Sequence, residues 1–132
     1  MYDYDFLSEL FLQVKKAISI INKRFANIEK VTDFTDTETG MMKLDAICLP
    51  LMAIGELLNK IDRVTDSSFL PQYPYADWKK AIGQRNIIAH AYFDISAEAV
   101  FDTCQNNIPE LETVIDQILF DLRNPHGPAN FH

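Results

Sequence analysis

The most reactive set of side chains in the sequence lies in the octet Arg-Asn-Ile-Ile-Ala-His-Ala-Tyr at positions 85–92. Arg85 is a permanent cation that can hold a phosphate group through two parallel hydrogen bonds. His90 can accept or release a proton near neutral pH. A phosphate clamp and a proton carrier are the two components that metal-free cleavage of RNA requires, so the octet indicates that chemistry.

On a continuous helix, Arg85 and His90 do not point in the same direction. At about 100° per residue they lie about 140° apart, and Asn86 falls one turn below His90, where it could orient the imidazole or contact a phosphate. A two-fold dimer across this helix would bring two arginines and two histidines into one cleft. It would also supply both a base and an acid, because the other histidines, His126 and His132, lie in the C-terminal tail.

The same residues also have purely structural interpretations. Arg85 falls within an apolar stripe of its helix and therefore needs a partner. Glu56, which also lies among apolar residues, could pair with it and tie two helices together. His90 could be a helix-end histidine with satisfied hydrogen bonds. Tyr92 could pack beside Trp78 or stack on a base.

The first half of the chain predicts two long helices. Apolar residues recur at spacings of three and four over residues 7–28 and again over residues 44–61. Thr35 and Glu38 have the spacing of a capping box, which would open the second helix. Pro50 lies inside that helix and predicts a kink near residues 46–50.

The second half predicts three shorter helices after a loop. Residues 62–76 contain two prolines among polar residues and predict the loop, and a helix that carries the octet begins near Asp77. Ser96 can cap the next helix, which turns Val100, Phe101 and Cys104 inward. Pro109 suits the first turn of the last helix, which has its own apolar stripe.

Composition favours one all-α domain over residues 1–123, a bundle of four or five helices, with a disordered tail over residues 124–132. A net charge of −7 is atypical of a nucleic-acid binder, so RNA contact would need a local basic patch, for which Lys79 and Lys80 are the best candidates. Cys48 and Cys104 are predicted to be buried, reduced thiols.

The sequence predicts neither a cofactor nor a membrane partner. Histidines, cysteines and carboxylates do not occur at metal-ligand spacings, so we expect no metal ion. Acidic residues near the N-terminus are atypical of a signal peptide, and apolar runs are too short for a membrane span. We therefore expect a cytoplasmic protein.

An ordered set of short motifs resembles the HEPN-domain, HepT-like ribonuclease toxins of HEPN–MNT toxin–antitoxin pairs. The main motif is R-x(4)-H-x-Y with Asn after the Arg, at positions 85–92. It is accompanied by Ile-Gly-Glu at 54–56, Asp-Trp-Lys-Lys at 77–80, Tyr-Phe-Asp-Ile at 92–95 and Ile-Pro-Glu-Leu at 108–111. Together these motifs extend the resemblance over most of the chain, from Phe6 to Leu122.

The resemblance implies a HEPN-like bundle and a metal-independent endoribonuclease toxin. Its composite Arg85/His90 site would lie in the cleft of a homodimer and cleave RNA through attack of the ribose 2′-OH, and DNA is not an expected ligand. It also implies an MNT-type nucleotidyltransferase antitoxin that attaches AMP to Tyr92, which would place negative charge beside the arginines and block RNA.

A second hypothesis from a different functional class stays open. The acidic net charge favours a non-catalytic helical dimer that binds a nucleotide or a partner protein. The complete set of Arg85, Asn86, His90 and Tyr92 favours the ribonuclease.

Overall fold

The computed structural model describes residues 2–90 and 96–124, and for residues 86–90 only the helical backbone. The regular elements in this part of the chain are helical, which confirms the all-α class. They are α1 (Tyr4–Phe25), α2 (Thr32–Thr35), α3 (Glu38–Val64), α4 (Trp78–His90), α5 (Ala97–Asp102) and α6 (Ile108–Arg123). A 3-10 turn at Leu70–Gln72 precedes α4, and a π-helical turn at Thr103–Asn107 joins α5 to α6. Tyr92 and the tail from residue 125 lie outside the described residues.

The core forms where α1 packs against α3 on one side and against α6 on the other. The predicted apolar stripes supply it, and each fully buried aliphatic or aromatic side chain contributes about 1.5–3 kcal/mol of transfer free energy. Its largest fully buried members include Phe11, Ile18, Ile54, Leu58, Phe69 and Ile108. None of the helices in the described part of the chain is long and apolar enough to cross a membrane.

The start of α3 differs from the predicted capping box. Thr35 ends the short helix α2, and the N-cap of α3 is Thr37, whose hydroxyl oxygen accepts from the N–H of Gly40 at 2.9 Å. The carbonyl of Asp33 approaches Gly40 so closely that a Cβ built there would lie 2.0 Å from its oxygen. The prediction of Thr35 as the cap was wrong because α2 brings its own backbone against Gly40 and moves the cap two residues on.

Helix α3 runs without interruption through Pro50. Proline has no N–H, so the carbonyl of Ala46, one turn earlier, loses its usual helical partner. The guanidinium of Arg24, at the end of α1, donates a hydrogen bond to this carbonyl oxygen. The hydrogen bond that Pro50 removes is thus replaced from the neighbouring helix, and α3 remains helical from Glu38 to Val64.

The last two predicted helices are joined directly by the π-helical turn. Ser96 caps α5 as predicted, accepting from the N–H of Ala99 at 3.1 Å, and Pro109 occupies the first turn of α6. Between them the N–H of Ile108 donates to the carbonyl of Thr103, five residues back, which widens the helix by one residue. Such a π-turn accommodates a residue that cannot make the normal helical bond, and π-turns often mark functional regions.

A buried polar contact fastens the segment before α4 to α6. The hydroxyl of Tyr73 donates to the carboxylate of Asp121 at 2.7 Å, and Gln117 donates to the other carboxylate oxygen at 2.8 Å. Burial, followed by the contact with Asp121, raises the pKa of the Tyr73 hydroxyl above its ordinary value. Tyr73 therefore stays protonated and donates, which satisfies a carboxylate that is almost fully buried.

Both cysteines are free and buried, as predicted. Burial raises the pKa of Cys48 to about 11 and that of Cys104 to about 12. Thiols of this kind are protonated at neutral pH and act as small apolar core residues.

Candidate functional site

Helix α4 carries Arg85 and packs chiefly against α3. It begins where the sequence predicts, because the carboxylate of Asp77 accepts from the N–H of Lys80 at 3.0 Å and caps the first turn. Its backbone is helical through His90. The Cα atoms of Arg85 and His90 are therefore separated by about 140° around the helix axis, as expected for five residues.

The two helices approach most closely at Gly55 of α3. A Cβ built on Gly55 would lie 2.9 Å from the backbone nitrogen of Arg85, 3.0 Å from its Cβ and 3.1 Å from the carbonyl oxygen of Ile82. Two of these three atoms belong to the α4 backbone, which cannot yield without moving the helix. Gly55 thus allows a contact between the two helix backbones, and this contact fixes the point on α4 from which the Arg85 side chain extends.

The guanidinium of Arg85 is only partly covered, but one of its nitrogens is fully enclosed. Nη1 is buried and has no hydrogen-bond partner within the described residues. The predicted pairing of Arg85 with Glu56 was wrong, because Glu56 is exposed and forms no ion pair with Arg85. The reason is geometric: Gly55, one position earlier on α3, faces α4, so the Glu56 side chain is rotated about 100° away.

Arg85 lines an open groove of about 480 Å³ between α4 and the turn that follows α3. Helix α4 also lines this groove with Trp78, Lys79, Ile82 and Gly83. The volume lies within the range of about 300–1,000 Å³ that is typical of small-molecule sites. Two cationic side chains and an aromatic ring at one groove are groups that can bind a phosphate and the nucleobase next to it.

The last turn of α3 supplies Asp62 to the polar part of this groove, and the turn after α3 supplies Ser67. Asp66 and Ser67 adopt left-handed backbone conformations, with φ of 50° and 58°. These are uncommon for residues other than glycine, and they bring the Ser67 hydroxyl to the Asp62 carboxylate at 3.0 Å. The Ser67 N–H also donates to the Asp62 carbonyl at 2.8 Å, which closes the end of α3.

The two lysines predicted to extend an RNA groove lie on different sides of α4. Lys79 shares the groove with Arg85, whereas the ammonium of Lys80 donates to Asn107 at 2.8 Å and lies 3.6 Å from Asp102. Lys80 therefore holds α4 to the π-turn. Over residues 78–85, the part of α4 with described side chains, Ala81 and Gln84 are buried. The burial of Gln84 was not predicted because its polar side chain breaks the apolar stripe.

Three of the predicted site residues have side chains outside the described part of the chain. The side chains of Asn86 and His90 and the whole of Tyr92 lie outside it. No cluster of three or more His, Cys, Asp or Glu side chains that could hold a metal ion occurs among the described residues.

Comparison with known proteins identifies the family. The family model described as "Ribonuclease HepT-like" matches residues 14–118, which is most of the chain. This chain belongs to the HepT-like ribonuclease family.

Relatives of known name agree with this assignment. "Putative RNase MJ0125" of Methanocaldococcus jannaschii is 27% identical over 96 residues, which cover 73% of this chain and 79% of that protein. "Putative RNase MJ0127" of the same organism is 26% identical, with 73% and 81% covered. "Putative RNase TTE0752" of Caldanaerobacter subterraneus subsp. tengcongensis is 29% identical, with 70% and 80% covered. No solved structure matches the chain significantly.

The contact at Gly55 can be tested with a matched pair of glycines. We predict that Gly55→Ala destabilises the fold by about 1–3 kcal/mol, because the added methyl group overpacks the contact with the α4 backbone. Gly83→Ala is the control: a Cβ there meets nothing within 4 Å, and alanine should stabilise the helix by about 0.5–1 kcal/mol. Urea unfolding of the two variants measures both effects. Equal stability of the two variants would show that α3 and α4 do not depend on this contact.

Proposed function

We propose that this member of the HepT-like family is a metal-independent endoribonuclease toxin whose site is built from Arg85 and His90 of two chains. The observation that carries the proposal is the state of Arg85. Its backbone is fixed against Gly55 and its Nη1 is buried, yet that nitrogen has no hydrogen-bond partner in the part of the chain that the structure describes. A permanent cation that is dehydrated at one nitrogen without a protein partner is costly, and an RNA phosphate bound at the part of the guanidinium that lines the open groove would offset this cost.

The proposed reaction is an internal transesterification. The imidazole of one His90 takes the proton of the ribose 2′-OH, and the 2′-oxygen attacks the adjacent phosphorus. The bond from phosphorus to the 5′-oxygen breaks, and the His90 of a second copy gives that oxygen a proton. The products are a 2′,3′-cyclic phosphate and a 5′-hydroxyl. Arg85 stabilises the negative charge that builds on the phosphate oxygens, and Asn86 orients the histidine.

The dimer is part of the proposal because one chain does not supply the complete set of groups. The helical backbone of α4 separates Arg85 and His90 around its axis, and the reaction needs both a base and an acid. α4 packs chiefly on α3, so its opposite side can face a second copy. A two-fold axis near this helix would place both arginines and both histidines at one cleft.

Regulation by a partner completes the proposal. An MNT-type nucleotidyltransferase antitoxin would transfer AMP from a nucleoside triphosphate to the hydroxyl of Tyr92, releasing pyrophosphate. Tyr92 is seven residues from Arg85 in the sequence, so the added phosphate would compete for the same guanidinium as the RNA backbone.

We predict that purified protein cleaves single-stranded RNA in the presence of a chelator. Arg85→Ala and His90→Ala should each lower the cleavage rate by at least about 100-fold, the usual loss for a group that stabilises charge or transfers a proton. Arg123→Ala and His126→Ala are the matched controls, since Arg123 is exposed and both residues lie outside the proposed site. Gel analysis of a labelled RNA measures the rates. Full activity in His90→Ala would contradict the mechanism, and a non-cleaving wild-type protein would favour the non-catalytic dimer.

We also predict that Tyr92→Phe keeps its cleavage activity but escapes neutralisation. Loss of the hydroxyl removes the acceptor of AMP, whereas the aromatic ring is kept. Intact-mass spectrometry after co-expression with a cognate nucleotidyltransferase should show added AMP on the wild-type chain and none on the variant. AMP increments that persist in Tyr92→Phe would place the modification on another residue.

A further inference from the structure

The groove beside Arg85 has a second set of features that the proposed cleavage chemistry does not use. Trp78 lines it, and its indole Nε1–H donates to the carbonyl of Tyr73 at 2.8 Å, which fixes the orientation of the ring. Part of the ring packs on the core, and Ile82 continues the apolar wall. A fixed, partly open aromatic ring is the platform on which proteins stack unpaired bases.

The charge of the groove suits an RNA strand although the protein is acidic. The chain has a net charge of −7, but this groove has two cations, Lys79 and Arg85, and one carboxylate, Asp62. Within the described residues Lys79 forms no ion pair, whereas Lys15 and Lys80 are paired with carboxylates elsewhere. Free cations next to an aromatic ring favour a phosphate and its attached base over an uncharged ligand.

Asp62 supplies a polar group that can distinguish bases. Its Oδ2 accepts from the hydroxyl of Ser67, and its Oδ1 has no partner among the described residues. A carboxylate accepts a hydrogen bond from the amino group of cytosine N4. Uracil has a carbonyl oxygen at the same position, which a carboxylate repels. The acceptor therefore favours cytosine over uracil.

We infer that this groove is a base-binding subsite for single-stranded RNA, in which Trp78 stacks on the base next to the bound phosphate and Asp62 favours cytosine over uracil. This inference rests on the proposed action on RNA and specifies how the RNA is bound. It assigns the substrate class to unpaired strands and gives Trp78, Asp62 and Lys79 roles in binding that are separate from the cleavage step.

The subsite can be observed directly because Trp78 is the only tryptophan in the chain. We would titrate the full-length protein with short 2′-O-methyl oligonucleotides, which cannot be cleaved because the 2′-hydroxyl is blocked. Oligocytidine should quench the Trp78 fluorescence in a saturable way, with the same Kd that the anisotropy of a labelled oligonucleotide gives. Oligouridine should bind about tenfold more weakly, as expected for the loss of one direct base contact.

Substitutions can distinguish the loss of base stacking from a loss of folding and from a change of charge. Trp78→Phe, which keeps an aromatic ring, should bind labelled oligocytidine within about threefold of wild type, and Trp78→Leu about tenfold more weakly. Because Trp78 also contacts the core, Gly83→Leu is the second test: its Cβ position is open, and the side chain would fill the groove without overpacking. It should weaken binding about as much as Trp78→Leu. Asp62→Asn should reduce the preference for cytosine to within about twofold, since an amide can serve either base.

Three results would overturn the subsite: binding by anisotropy with no change in Trp78 fluorescence, no binding of either oligonucleotide, or full binding by Gly83→Leu. The cleavage assay reports separately on the proposed function. Cleavage without quenching would keep the ribonuclease and exclude this subsite, whereas quenching without cleavage would keep the subsite and exclude the ribonuclease.

Discussion

The contact between Gly55 and the backbone of Arg85 is the constraint on which the site depends. With no Cβ at residue 55, α3 and α4 approach until their backbones touch, and Nη1 of Arg85 becomes buried. A cation in that position loses hydration without gaining a protein partner in the described surroundings, which costs free energy in the unbound state. Under the proposed function, a phosphate bound at the part of the guanidinium that lines the groove would offset this cost.

Other contacts hold α3 and α4 in the positions at which Gly55 meets the backbone of Arg85. Pro50 lies five residues before Gly55, and a break there would rotate Gly55 away from α4. Arg24 satisfies the carbonyl of Ala46, and α3 continues across the proline. At the other side of α4, Lys80 binds Asn107 of the π-turn and lies near Asp102. α4 is thereby held on two sides, by α3 and by the π-turn. Lys79 and Arg85 remain available to bind a ligand in the groove.

The helices were predictable because apolar spacing determines which faces are buried, and the caps at Asp77 and Ser96 follow from side chains adjacent to the helices they start. The errors came from contacts between elements. The cap of α3 moved to Thr37 because α2 packs its backbone on Gly40, and Arg85 does not pair with Glu56 because the glycine before it faces α4. The motif itself identified the family, but spacing along the chain gives no information about a groove formed with Asp62 and Ser67 of a different segment.

The proposed ribonuclease requires an RNA phosphate to bind the guanidinium of Arg85. The most direct measurement is nitrogen-15 NMR of the arginine side chains while an uncleavable 2′-O-methyl dinucleotide is added. If the phosphate binds Arg85, the guanidinium signals of this residue will shift and their exchange with solvent will slow as binding saturates, while the signals of the exposed Arg63 will stay unchanged. Saturated binding that leaves the Arg85 signals where they were would contradict the proposal.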